Sequence, residues 1–248
     1  MKKIIKYLFL LTGGSFILAS CNDFLDREPL DSVTPDNFFF TENDLAAYAV
    51  KHYNFTTHEG FNAGIWRNDN ATDNQAATDY DKKWIPGQWK VPEAYDNPAS
   101  NDPWYFSAIR EANYFLETVV PRFEKGEIEG SETNIKHYIG EMYFLRAKNY
   151  LSKLETFGDF PIIKNTLPDE SASLIQASKR EPRHKVARFI LEDLDLAIGL
   201  LTNTISGGKN RITQNAALLL KSRAALYEAS WLTYHKGTAL VPGGPGWP

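Results

Sequence analysis

The chain has 248 residues, 27 basic and 31 acidic side chains, and a net charge of −4. That balance argues against nucleic acid as a partner, which requires a basic footprint. The single cysteine excludes an intrachain disulfide framework, so stability has to come from packing.

In chain order, the first predicted element is a lipoprotein signal peptide over residues 1–20. Lys2, Lys3 and Lys6 precede an uncharged apolar run from Tyr7 to Leu18, broken by Gly13-Gly14. A basic start, a short apolar core and small residues before a cut site describe a secretory signal. The run is too short and too interrupted for a good membrane-spanning helix. It ends in Leu18-Ala19-Ser20-Cys21, a lipobox. The Cys21 thiol is expected to receive a diacylglycerol and to become the first residue of the mature protein. Acyl chains at that terminus would anchor the protein stably to a membrane. Loss of the three leader lysines would leave 24 basic and 31 acidic residues, a net charge of −7. Charge therefore does not explain attachment to anionic lipid.

Residues 21–40 read as a lipidated, extended tether, with two prolines, several aspartates and no sustained period. A helical domain is expected over 41–232. Thr41 followed by Asp44 resembles a capping box and opens a helix through Leu45, Tyr48, Ala49 and His52. From about 56 to 102 periodicity fails, and the segment is rich in Asn, Asp, Gly and aromatics. Structureless stretches of that length are usually functional or disordered, and so many aromatics argue against disorder. Asp102-Pro103 then suits an N-cap and first helical position, ahead of Trp104, Ile109, Phe115 and Val119. Ser131 starts a helix to about Thr156, with Gly158 as its stop signal. A third long helix spans roughly Arg183 to Leu201. Thr213 opens a fourth, to about Leu232. The remaining 233–248, ending VPGGPGWP, cannot continue a helix and reads as a loop cut in mid-course.

Helical wheels place charge on these elements. Arg146 falls inside the apolar arc of Ile135, Ile139, Met142 and Tyr143. Lys185, Arg188, Glu192 and Asp195 form a wet face, with Asp193 on the apolar side. In the last helix Gln214, Lys221 and Glu228 recur every seven residues and predict an exposed stripe, which leaves Arg223 on the buried Ala, Leu and Tyr side. Inward Arg146, Arg223 and Asp193 should pair, because an unpaired buried charge is costly. The bland role of structural ion pairing fits them better than catalysis. Phe144-Leu145-Arg146-Ala147 and Lys221-Ser222-Arg223-Ala224 share an Arg-Ala step on a small apolar face. Small residues where stacked helix pairs cross suggest tetratricopeptide-like repeats.

No catalytic, metal or cofactor motif appears. The histidines at 52, 58, 137, 184 and 235 are scattered, without H-E-x-x-H or a cysteine pair. There is no G-x-S-x-G elbow. Asp-rich loops between Asp69 and Asp81 read as turns rather than a glycosidase pair. The aromatic loop carries more information. Four of the six tryptophans fall from Trp66 to Trp104, with Tyr80 and Tyr95 among them. Indoles stack on the apolar faces of sugar rings, and short polar side chains meet the hydroxyls. Trp84 and Trp89 are the candidate platforms, with Arg67 and Asn70 as hydroxyl partners. The competing role for these indoles is to pin long loops onto the helices. Trp104, beside Ile109 on a helix, suits that packing role best.

Together these pieces resemble the SusD/RagB family of nutrient-binding outer-membrane lipoproteins of Bacteroidetes. Cys21-Asn22-Asp23-Phe24-Leu25-Asp26 looks like the family's mature start, and Trp104 with Ile109, Ala112 and Asn113 resembles its W…I…AN helix. The block from Glu141 to Ala147, running to Phe157-Gly158-Asp159-Phe160-Pro161-Ile162, is similar to its helix ending in a YGD-P-like turn, with Phe157 in place of the usual Tyr. Ile190 to Leu194 and Ala216 to Leu226 match two later helices. The resemblance implies an all-α fold of tetratricopeptide-like helix pairs with long irregular loops. It also implies a surface position on the outer membrane, a SusC-like TonB-dependent transporter as partner, and a glycan or other oligomeric nutrient as cargo. Members run to roughly twice this length, so this chain would correspond to an N-terminal part. The alternative function is a tetratricopeptide-type scaffold that binds a protein or peptide. Such a scaffold should show a concave polar helical groove, where a glycan binder should show aromatic loops.

Overall fold

The computed structural model describes residues 38–55, 75, 85, 92, 102–204 and 210–247. These hold six α-helices and no strand: α1 Glu42–Lys51, α2 Ser107–Lys125, α3 Glu132–Phe157, α4 Ser171–Ala177, α5 Arg183–Leu200 and α6 Gln214–Tyr234. The all-α expectation holds.

Helix ends follow local chemistry. Thr41 Oγ1 accepts from Asp44 N at 3.3 Å, and Thr41 N donates to Asp44 Oδ2 at 3.0 Å, which closes the capping box of α1. Thr213 Oγ1 accepts from Ala216 N at 3.2 Å and caps α6. Other ends are capped from a distance. Ser131 makes no capping bond with its own side chain. Instead Glu42 Oε2, on α1, accepts from Ser131 N at 2.7 Å and Asn134 Nδ2 at 3.2 Å. Gly130 makes this approach available: its φ is +135°, and a Cβ there would sit 2.7 Å from Glu42 Cβ. At the far end of α3, Gly158 adopts φ +74°, and the next residue, Asp159, accepts from Arg183 N at 2.8 Å and so caps α5.

Two sequence expectations move. Helix α2 opens at Ser107, not at Pro103. The Asp102 carboxylate accepts from Trp104 N at 2.8 Å and the Asp102 carbonyl from Tyr105 N at 3.0 Å, so this residue closes a tight turn before the helix. Helix α4 has no counterpart in the sequence reading. It is seven residues long and buries none of them, which leaves no apolar period to detect.

Helix α3 is the hub, packed against α1, α2, α5 and α6, and α5 packs on α6. It buries residues on nearly every side, from Ile135 to Phe157. Gly140 lets α3 approach the end of α5 closely, for a Cβ there would lie 3.0 Å from Leu201 Cγ and 3.1 Å from Leu200 Cβ. Phe39 and Tyr48 meet edge-on at 5.0 Å and both contact Phe115, which joins α1 to α2.

Buried charge stitches the hub together. Arg146 donates to both Asp193 oxygens, Nε to Oδ2 at 2.7 Å and Nη2 to Oδ1 at 2.8 Å. Its Nη1 donates to Asn113 Oδ1 at 2.9 Å and to the Lys164 carbonyl at 3.3 Å. Three helices and the segment after α3 meet at this one guanidinium. Burial raises the Asp193 carboxyl pKa, and the Arg146 bonds pull it back. Arg211 forms a second forked pair with buried Glu141, at 2.6 and 2.9 Å, and His137 Nε2 lies 3.2 Å from the same carboxylate.

The last helix corrects the wheel. Arg223 is exposed, not buried, and Glu228 is buried, not on a wet stripe. The physical reason is that the polar stripe finds partners on or beside α5. Gln214 Nε2 donates to the Ile198 carbonyl at 3.0 Å, Lys221 pairs with Asp195, and Glu228 Oε2 accepts from Arg183 Nε at 2.8 Å. The stripe therefore faces the neighbouring helix, and the leucine side faces out.

Candidate functional site

Arg67, Asn70, Trp84 and Trp89 lie outside the described residues, as does Cys21. The flanks of the aromatic segment are described, however: Asn54 and Phe55 on one side, Asp102, Trp104 and Tyr105 on the other. The Asp102 turn sets the second flank. It leaves Trp104 half-buried, its ring 4.1 Å from Phe157 and 5.7 Å from Phe160, with the Arg180 guanidinium 4.9 Å away over its face. The indole N–H donates to the Pro92 carbonyl at 2.8 Å. Trp104 thus has the packing role expected of it, though from the turn before α2 and not from a helix, and it also ties a residue of the aromatic segment to the end of α3.

Both flanks line one polar cleft of about 320 Å³. Asn54, Asp102 and Tyr105 contribute to it together with Lys51 and His52 of α1, Glu111 of α2, and Lys148, Asn149 and Lys153 of α3. His52 Nδ1 sits 3.1 Å from Glu111 Oε2. Lys148 Nζ donates to the Asn54 carbonyl at 2.9 Å, and Lys153 Nζ donates to the Pro103 carbonyl. Each lysine therefore holds one flank of the aromatic segment against α3. Burial lowers the pKa of both lysines, with Asp102 opposing the shift at Lys153. Burial also lowers that of His52, against the pull of Glu111. The cleft combines amide, carboxylate, ammonium and phenol groups, the donors and acceptors that polyhydroxylated ligands require. Among the described residues no three His, Cys, Asp or Glu side chains assemble as a metal site would need.

A second cleft, of about 370 Å³, shares Ile109 with the first and is mainly apolar, lined by Trp104, Phe106, Pro161, Ile163 and Leu174 with Asn113 at its polar edge. A third, of about 680 Å³, lies at the last turn of α3, where Phe157, Arg180, Arg183, Tyr227, Trp231 and Trp247 converge. There Trp231 stacks 4.1 Å from the Arg183 guanidinium. Arg183 Nη2 and Glu228 Oε1 are buried without a hydrogen-bond partner among the described residues.

Sequence reasoning brought Arg146 and Asp193 forward, and they meet. It missed Glu141, His137, Arg183 and Arg211. The i, i+4 spacing of His137 and Glu141 was a usable signal. Arg211 sits in a loop, where no period marks it.

A model of the SusD-like family, described as starch-binding and associating with the outer membrane, matches residues 23–226. The SusD-like protein P2 of Formosa agariphila is 27% identical over 219 residues, which is 86% of this chain and 40% of that protein. The SusD-like protein P38 of the same organism is 28% identical over 80% of this chain and 37% of its own length. A crystal structure of a SusD-like protein from Bacteroides fragilis superposes with a TM-score of 0.60 at 25% identity, covering 83% of this chain and 39% of that one. A SusD-like carbohydrate binding protein from the same species shares the fold at 18% identity, TM-score 0.55, over 80% and 40% of the two chains. This chain thus spans about 40% of the length of the relatives it matches, and it corresponds to their N-terminal part.

Proposed function

The chain belongs to the SusD-like family, and on that premise we propose that it is a surface-exposed outer-membrane lipoprotein. In this reading it binds glycans or other oligomeric nutrients and delivers them to a SusC-like TonB-dependent transporter. It acts by binding and not by catalysis. Cys21 carries the lipid anchor. Trp84 and Trp89 stack on sugar rings, and Arg67 and Asn70 meet hydroxyls.

The observation that supports this reading best is the polar cleft framed by both flanks of the tryptophan-rich segment. Asn54 and Tyr105, on the described flanks of that segment, line the cleft together with Lys148 and Lys153. Flat aromatic side chains lose little entropy when they stack, and a few placed polar groups then set orientation.

The test is calorimetry with neutral oligosaccharides, malto-oligosaccharides included. Saturable binding to at least one oligosaccharide is expected. Silence across the panel, with capture of a peptide instead, would favour the scaffold reading. The anchor and partner are tested separately. Cys21→Ala should abolish palmitate labelling, and detergent-solubilised outer membrane should yield a large β-barrel protein with the wild-type chain.

A further inference from the structure

The lining of the polar cleft reverses the sign of the chain. It carries Lys51, Lys148 and Lys153 against Asp102 and Glu111, in a protein whose net charge is −4. Glu111 is already engaged, with its Oε2 3.1 Å from His52 Nδ1. The two lysines of α3 are held unlike the buried arginines. Arg146 and Arg183 each face a carboxylate. Lys148 and Lys153 are half-buried and donate to neutral carbonyls, those of Asn54 and Pro103. Neither makes an ion pair among the described residues. An ammonium has three donors, so each lysine has donors left beyond that bond. Withdrawal from water disfavours both charges, and an anion alongside restores them. The Asp102 field does so in part at Lys153, and no described acid does so at Lys148.

We infer that the cleft takes an acidic saccharide, one whose sugar rings bear a carboxylate or a sulfate ester, and that its anionic groups meet the Lys148 and Lys153 ammoniums. The inference rests on the reading that this cleft meets a glycan, and it names the class of glycan. Asn54, Asn149, Ser152 and Tyr105 share the lining with the two lysines. Amides, a hydroxyl and a phenol bond ring hydroxyls of either hydrogen-bonding sense, so they recognise the saccharide part. The ammoniums recognise the acid. A neutral hydroxyl also accepts a bond from an ammonium, but it leaves the half-buried charge uncompensated, where a carboxylate or sulfate compensates it with a charge-assisted bond. The cleft volume of about 320 Å³ lies within the range of small-molecule sites.

The test is calorimetry on the 248-residue chain with matched pairs of ligands: oligogalacturonides against their methyl esters, and sulfated against desulfated carrageenan oligosaccharides. In at least one pair the acidic member should bind about tenfold tighter, and raised salt should shrink that preference. The pair that responds tells a carboxylate from a sulfate. Lys148→Gln with Lys153→Gln should remove the preference and leave affinity for the neutral member within about twofold, while Lys148→Arg with Lys153→Arg should keep it. Lys179→Gln, at an exposed lysine outside the cleft, should change neither affinity. If the double Gln variant does not fold, the wild-type pairs and their salt response decide the matter. Equal binding of both members in both pairs would overturn the inference and leave glycan binding standing. So would a preference that survives in a folded double Gln variant. Silence toward every saccharide, neutral ones included, would overturn the glycan reading and this inference with it.

Discussion

Helices α3 and α6 carry the same Arg-Ala step, at Arg146-Ala147 and at Arg223-Ala224, and the structure treats them oppositely. Arg146 is buried, holds Asp193 through two bonds and reaches Asn113 and Lys164 with a third group. Arg223 faces solvent. Helix α3 has neighbours on several sides, so nearly every side of it is packed. Helix α6 has α5 as its main neighbour. With one main neighbour, the choice of inward side depends on what that neighbour offers. Helix α5 and its flanks offer Asp195, the Ile198 carbonyl and Arg183, and these select the polar stripe. A helical period thus marks two sides, and the partner decides which one turns in.

The comparison breaks first at Arg146. Arg146→Ala should destabilise the protein by about 3–5 kcal/mol, because it leaves Asp193 buried without its counter-charge. Urea unfolding measures this, and a loss below about 1 kcal/mol would remove the node from its structural role. An intermediate effect is expected at Arg183→Ala. The Arg183–Glu228 pair is also buried, but among the described residues it leaves one group unsatisfied on each side. The expected loss is roughly 1–3 kcal/mol, the cost of stranding Glu228 in part. A loss equal to that at Arg146 would erase the distinction between the two pairs.

Smaller effects sharpen the same contrast. Leu219→Ser with Leu226→Ser should change the stability of the 248-residue chain by no more than about 0.5 kcal/mol per site, as at other exposed positions. A loss above about 2 kcal/mol would mean that the leucine side of α6 is packed within this chain. The smallest effect concerns pH. Burial lowers the His52 pKa in the folded protein, so the unfolded chain takes up this proton more readily. The contribution of His52 to stability is therefore full above its ordinary value of about 6.5 and declines as pH falls through it. Chemical denaturation at pH 7.5 and pH 5.5 should show a larger acid loss in the wild type than in His52→Gln. Equal losses would contradict the assigned shift.

Much of the fold was legible because its signals are local. Thr41 with Asp44, Thr213 and Gly158 mark helix ends through bonds to neighbours in sequence. Arg146 and Asp193 could be paired because each lies inside a clear apolar arc. What stayed hidden depends on distant chain. Glu42 caps α3 across 89 residues, and Arg211 reaches Glu141 across 70. The polar cleft draws on α1, α2 and α3 at once. The side of α6 that turns inward was misread because a wheel weighs residues without their neighbours, and Glu228 looks solvent-bound until Arg183 is placed beside it. The aromatic segment was conspicuous in composition, and the described fold contributes the cleft that its two flanks share.

The most direct test of the account is oligosaccharide binding by the chain before and after loss of both indoles. An oligosaccharide that binds the wild type should bind Trp84→Ala, Trp89→Ala more weakly, by about 1–2 kcal/mol per platform in calorimetry. Helical content and unfolding midpoint should be preserved. Undiminished binding by a folded double variant would contradict the claim that these two tryptophans carry the ligand.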